Sequence, residues 1–361
     1  MATGLTGAHV EDKSWAPLME SFEKLADTKP EGVWGGILLF FGADLEYVCN
    51  KLGLPHFNAA EDMCSLCLAN TTTMPHNNYH DEAGWRGTEL DNTTFLARLR
   101  RPLHACVAHP WFNIFSCRHD LLHMCDHHGV SSHVCANILW AHLSGEREGH
   151  ALPGGTKDDR LAFLNDDVKG FYTENHVQNR LPPFREEDIK DPHGQWPVLK
   201  GNNVKAANTR SLVPYILALQ KRATAMVPSN KNMHMLKVIE ALNEVYEIIY
   251  TGPCFLGDDL ISALEKNLKK LGRHYQWLSV NAFNAGMARW HTVGKFHFTL
   301  GHLAMQAELI NPRWVQGYAS ESMVGSTSNI YGMSQSGPWK AGAQKVVMTK
   351  YRVGLKLMME Q

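Results

Sequence analysis

The sequence predicts an α/β chain that carries a large helical insertion and is predominantly helical overall. Three observations predict it. The apolar run Val33 to Phe41 is short and holds two glycines, so it reads as a buried strand with helical patterns on both sides. A second aromatic and β-branched run, Pro110 to Cys117, offers that strand a neighbour. Between about 209 and 285, three blocks place apolar residues at helical intervals, which makes the middle of the chain a helical body.

Residues 13 to 27, KSWAPLMESFEKLAD, set Trp15, Leu18, Met19, Phe22 and Leu25 on one helical face, and Thr28 to Gly32 end that helix. Asp44 stands just past the strand Val33 to Phe41, where it also caps the helix suggested by Leu45, Val48 and Leu52. Gly53 and Pro55 close it. The strand Pro110 to Cys117 leads to Asp120 and a long helical stretch through Leu143, and a Pro/Gly/Asp-rich connection fills roughly 145 to 200. The helical blocks then span about 209 to 226, 231 to 250 and 257 to 285. After Gly286, the positions of Phe296, Leu300, Leu303, Ala304 and Ala307 form a last helix, stopped by Asn311 and Pro312. The expected domains are an α/β piece over 1–143, a helical insertion over 144–290, and a C-terminal part over 291–361.

Composition narrows the function. Across 361 residues the net charge is −1 with pI near 7.0, so the chain lacks the overall basic character of many nucleic-acid binders and any DNA contact must be local. No window reaches the ~18 consecutive apolar residues of a membrane helix. The start MATGLTGAHVEDKSW has neither a basic n-region nor an apolar core, which predicts a reducing compartment and eight cysteines acting as thiols or metal ligands. Twenty histidines beside a close cysteine pair raise the expectation of a metal site.

That pair is Cys64-Ser-Leu-Cys67, whose spacing lets two thiolates face one zinc ion. Two buried cysteines in a helix turn are the plainer alternative. Two histidine pairs compete to complete a site: His76 and His80 in the loop-like TTTMPHNNYHDE, and His297 and His302 in KFHFTLGH on the last helix. The run Arg118 to His128 is the densest group of ligand-type side chains, read either as a second metal site or as a helix start capped by Asp120 with the other polar residues solvated. Asp44 after a strand and Glu321 in SESMVGSTSNIYG can hold Mg²⁺ or Mn²⁺ for phosphoryl transfer. Asn70 and Asn92 lie in N-x-T sequons, which carry meaning only in a secreted chain.

Read in order, the segments GADLEYVCNKLGLPHFNAAEDMCSLC, DLLHMCDHHGV and KFHFTLGHLAMQAELINPRWVQGYASESMVG resemble the catalytic core of cut-and-paste DNA transposases of the DDE type, which have a ribonuclease-H-like fold. The likeness is to the CACTA (En/Spm) and Plavaka-like group, and in its CxxC and HxxxxH spacing to Transib-type transposases and the vertebrate antigen-receptor recombinase. The resemblance implies a partial ribonuclease-H-like core, with Asp44 as the second catalytic Asp, Glu321 as the catalytic Glu, and Asp120 opening the D-x-x-H helix as a lesser catalytic candidate. It further implies that Cys64, Cys67, His297 and His302 share one structural zinc ion. The first catalytic Asp has no counterpart, since Asp12 and Asp27 flank the first helix and lie on no strand. The expectation is therefore an N-terminally truncated transposase or domesticated remnant, impaired in two-metal cleavage and strand transfer.

Transposon-end DNA and a second copy of the chain are the expected partners, without a membrane or a small-molecule cofactor, in the nucleus or otherwise the cytoplasm. Lys340, Lys345, Lys350, Arg352 and Lys356, in a stretch free of acids, are the expected DNA contact. A non-catalytic zinc-stabilised DNA- or protein-interaction module is the alternative of a different class. An unrelated His-rich metalloenzyme built on the Asp120 cluster is the third.

Overall fold

The computed structural model describes residues 19–20, 41–43, 45–145, 152–190, 196–201 and 203–318. Most of the predicted first helix and most of the first strand run lie outside the described residues, as do Asp44, Glu321, Lys340, Lys345, Lys350, Arg352 and Lys356. Two compact units emerge. The larger comprises Phe40–Arg101 and Asn113–Gln316, and the smaller comprises Met1–Leu39, Pro102–Phe112 and Gly317–Gln361. Every element below belongs to the larger unit. Within the smaller one, Pro102–Phe112 forms successive turns closed by His104 O accepting from Val107 N and His109 O accepting from Phe112 N, both at 2.9 Å.

Strand β1 (Phe41–Ala43) pairs in parallel with β2 (Cys117–His119), Phe41 opposite Cys117 and Ala43 opposite His119. Parallel strands need a long crossover, and here it contains α1 (Leu45–Asn50), an extended loop with the CxxC, and α2 (Asn92–Ala97). The predicted strand at Pro110 to Cys117 needs correction: pairing starts only at Cys117. Asn113 is the reason, because its Oδ1 accepts from Phe115 N at 2.8 Å and its carbonyl from Ser116 N at 2.9 Å, which turns the chain before it can extend. Burial of Ile114 explains the apolar character that mimics a strand.

The helix predicted from Asp120 to Leu143 is also broken. A π-helical turn, Leu122–Asp126, is followed by a break and then by α3 (Val130–Leu143). At the break His128 takes φ 52°, and a Cβ on Gly129 would stand 1.9 Å from the Met124 carbonyl oxygen, so only glycine lets the chain re-enter a helix here. Lys295 Nζ seals the break by donating to His127 O at 2.7 Å. Helix α3 is buried almost all round, which marks it as the centre of the core.

The supposed connection at 145–200 holds α4 (Lys157–Glu174) and the single turn α5 (Glu186–Ile189). Thr156 and Asp159 form a capping box at the start of α4, and Arg160, Leu164, Val168 and Tyr172 make a buried stripe at four-residue spacing. A stripe so narrow among acids and lysines hides in the composition. The three long helices fall where periodicity puts them: α6 (Ala206–Met226), α7 (Asn230–Thr251) and α8 (Asp258–Asn284), with α7 packed along both others and α6 against α3. Helix α9 (Gly294–Ala307) packs on α8 and β2, and a 3₁₀ turn, Pro312–Val315, follows. Among the described residues no helix is long and apolar enough to cross a membrane.

Two core histidines make this packing acid-sensitive. His133 on α3 lies against the Phe296 ring, and burial pushes its pKa down to about 3. His119 receives a hydrogen bond at Nδ1 from Gln306 Nε2 at 2.9 Å, and burial likewise pushes it to about 3. Below about pH 6.5 the unfolded chain takes up protons that the folded chain refuses until about pH 3, so stability falls as pH drops through that window. Between pH 7.5 and 4.5 the thermal midpoint should drop steeply for the native chain and less for His133→Gln; equal drops would show that His133 takes no part.

Candidate metal centre

The CxxC lies in the crossover loop, on no helix, and each sulfur is aimed by the chain just after it. Leu66 N approaches Cys64 Sγ at 3.3 Å and Ala69 N approaches Cys67 Sγ at 3.4 Å. Backbone N–H groups so placed stabilise a thiolate by direct donation. Beyond the pair, Asn70 ties the next loop, its Oδ1 accepting from the backbone N–H of Thr72, Thr73 and Met74 at 2.8 to 3.0 Å. The side chain at this sequon is thus spent on structure.

From the other end of the unit, α9 supplies His297 and His302 from adjacent turns, both buried. Cys67 Sγ meets His297 Nε2 at 3.4 Å, Cys64 Sγ meets His302 Nε2 at 3.4 Å, and the two Nε2 atoms lie 3.2 Å apart. All four residues are buried, and their ligand atoms lie within 4.8 Å of one another. A tetrahedral ion with Zn–S of ~2.3 Å and Zn–N of ~2.0 to 2.1 Å requires about 3.6 Å between sulfur and nitrogen and about 3.3 Å between nitrogens. The spacings match a zinc-sized centre, so this Cys₂His₂ group can hold a metal such as zinc.

Protonation agrees with that chemistry. Burial pushes His302 down to about 4 and lowers His297, so both imidazoles are neutral at pH 7, as ligands must be. The Cys67 thiol is held below its ordinary range, first by the hydrogen bond from Cys64 and then by His297, whereas burial raises Cys64. One thiolate is favoured by the pocket itself, and two are tolerable only opposite a cation.

Packing fixes the ring orientations. The far nitrogens, Nδ1 of His297 and His302, are buried and have no acceptor among the described residues. Orientation comes instead from Trp85, whose ring meets His297 edge-on at 4.6 Å and which is itself anchored by Nε1 donating to Asn78 O at 2.9 Å. Gly301 makes room for it, since a Cβ there would stand 3.0 Å from the indole.

The competing histidines are set apart. The His76 ring lies 6.5 Å from that of His297, with Nδ1 near Asn70 O at 3.4 Å, and His80 is exposed. Neither joins the group. Among the described residues, the Asp120 cluster gathers no metal-sized set of three ligands either. As a solvated helix start it holds only in part: His127 and His128 are exposed, whereas Arg118, His119, Asp120 and Asp126 are buried. Asp120 accepts from Leu122 N at 3.0 Å through Oδ1 and pairs with His123 Nδ1 at 2.6 Å through Oδ2. It directly follows β2, as Asp44 directly follows β1 in the chain.

Sequence reasoning missed Trp85 and Gly301, because nothing local marks a tryptophan as the cover of a site that forms around it. No family model matches the chain, and neither a curated protein nor a solved structure matches it.

Proposed function

We propose that the chain is a zinc-stabilised module of DDE-transposase descent that acts on DNA in the nucleus, with phosphoryl transfer as its ancestral chemistry. The observation that carries this reading is the convergence of Cys64, Cys67, His297 and His302, the ligand set that the resemblance implies, from positions 230 and 238 apart in sequence. Zinc here is structural, because four protein ligands close the coordination shell and leave no place for substrate. It ties the strand-bearing crossover to the last helix, before the segment that contains Glu321. The parallel pairing of β1 and β2, each followed directly by an aspartate, adds support.

Asp44 and Glu321 are the proposed holders of Mg²⁺ or Mn²⁺, which when bound would supply Lewis-acid stabilisation of the phosphate undergoing displacement. One observation favours the non-catalytic interaction module instead: both Asp120 oxygens are engaged by the protein, Oδ1 by the Leu122 amide and Oδ2 by His123. A cleavage assay on labelled duplex DNA with Mn²⁺ decides between them. On the catalytic reading the native chain nicks DNA weakly, and Asp44→Asn or Glu321→Gln lowers the rate about 100-fold or more with zinc content unchanged, as expected when a catalytic metal loses a ligand. Absence of metal-dependent cleavage by the native chain, with duplex binding retained in a gel-shift assay, favours the interaction module.

A further inference from the structure

Away from the Cys₂His₂ group, one pair of imidazoles stands across the two longest helices. His234 lies near the start of α7 and His274 in the middle of α8, and their Nδ1 atoms face each other at 3.1 Å. We propose that this pair is an open clamp for a late divalent transition-metal ion such as Ni²⁺ or Cu²⁺, which when bound pins α7 to α8. The inference rests on these side chains and not on the zinc or the phosphoryl-transfer reading.

Geometry comes first. An ion held by both nitrogens at the ~2.0–2.1 Å of a metal–imidazole bond would see them at an angle of about 95–102°. That is close to the ~90° between neighbouring positions of a tetragonal shell, the geometry of Cu²⁺ and Ni²⁺, and imidazole suits both ions. One ring is set beforehand: His234 lies flat on Trp277, with centroids 3.8 Å apart and planes within 13°. Trp277 follows His274 by three residues on α8, so one helix supplies both a ligand and the plane that aims its partner. A ring already in place costs less to order on binding.

Protonation and charge permit a cation. Burial, then the proximity of His234, Lys270, Arg273 and Lys237, pushes His274 down to about 4, and burial lowers His234. Both imidazoles are therefore neutral at pH 7, and the tautomer protonated at Nε2 leaves Nδ1 as the acceptor. Lys237 and Lys270 pair with Glu240 at 2.8 and 3.4 Å, and Arg273 with Asp81 at 3.3 Å, which blunts their repulsion of an ion. Among the described residues no third Cys, His or carboxylate completes a set within metal reach. The remaining positions of the shell belong to water or an external ligand, and both rings are half-buried, so an ion can enter from solvent.

Ni²⁺ alone is the probe. Titrated into the full chain as purified, it should raise the thermal midpoint by about 5 °C at ~100 times its dissociation constant, because an ion held only by the folded pair stabilises by mass action. His234→Gln and His274→Gln should each abolish that rise and weaken binding by about tenfold or more, since even a partner outside the ligand shell costs that much. His80→Gln, exposed and outside the pair, should keep both. A second measurement needs no variant: Ni²⁺ should shield His234 and His274 of the native chain from acylation by diethyl pyrocarbonate, read by peptide mass spectrometry, while His80 reacts with and without the ion. An unshielded pair, no midpoint rise in the native chain, or a rise of the same size in both variants shows a hydrogen bond between imidazoles and nothing more, and overturns the proposal.

Discussion

The native chain should retain one equivalent of zinc, and His297→Ala should lose it, with a fall in thermal midpoint of about 10 °C or more. Four convergent ligands imply one ion per chain, and removing one imidazole leaves two buried cysteines and one histidine that cannot close a tetrahedron. Binding energy at a structural zinc site is folding energy, ~10–16 kcal/mol in isolated zinc fingers. Here the long helices pack on one another away from the site, so only part of that energy is expected to be lost with the metal. A loss of about 4 kcal/mol is a fair scale, and at ~2–4 °C per kcal/mol for a unit of this size it gives the stated drop. Chelation of the native chain should reproduce the shift. His76→Ala should keep both zinc and midpoint, because that ring stands 6.5 Å from His297 and outside the ligand group. Full zinc retention by His297→Ala with loss in His76→Ala would reverse the assignment. Zinc content measured by mass spectrometry beside each melting curve distinguishes loss of the ion from mere loosening of α9.

The second large effect belongs to Gly129. Replacing it by alanine should cost about 3 kcal/mol or more, since overpacking of a well-packed site costs ~1–3 kcal/mol when side chains can yield and backbone yields less. The obstacle is the Met124 carbonyl, 1.9 Å from the added carbon, with the carbonyl carbon at 2.4 Å and Cys125 N at 2.9 Å. Relief requires moving the π-helical turn, which carries buried Leu122, Met124, Cys125 and Asp126. Urea unfolding of Gly129→Ala should show a lower midpoint, and a poorly folded product would fit the same clash. Gly170→Ala is the matched control: that glycine is exposed in the interior of α4 with nothing within 4 Å of an added Cβ. It should gain roughly 0.8–1 kcal/mol from helix propensity. Were both substitutions neutral, the tight re-entry at Gly129 would not exist.

Much of the helical body was legible because helix formation is read from a local period. Residues 209–226, 231–250 and 257–285 show it, and the observed helices start and stop within a few residues of those limits. Helix α4 escaped because its buried face is one residue wide, although the Thr156–Asp159 box announces its start. The strand at Pro110 failed for the opposite reason: apolar residues were present, but Asn113 bonded its own neighbours and made a turn.

The site divided along the same line. Sequence by itself determined that two thiols stood at zinc spacing and that histidine pairs stood ready at 76/80 and 297/302, because ligand spacing within a motif is a short-range property. Which pair met the thiols was decided only by the tertiary structure, when the packing of α9 against α8 and β2 carried His297 and His302 to within 3.4 Å of sulfur. The same packing buried Asp120, gave Trp85 its place over the imidazoles and left Phe283 in water. The physical reason is that closing the chain over more than two hundred residues depends on how whole apolar faces fit together, and no window of sequence contains both faces at once.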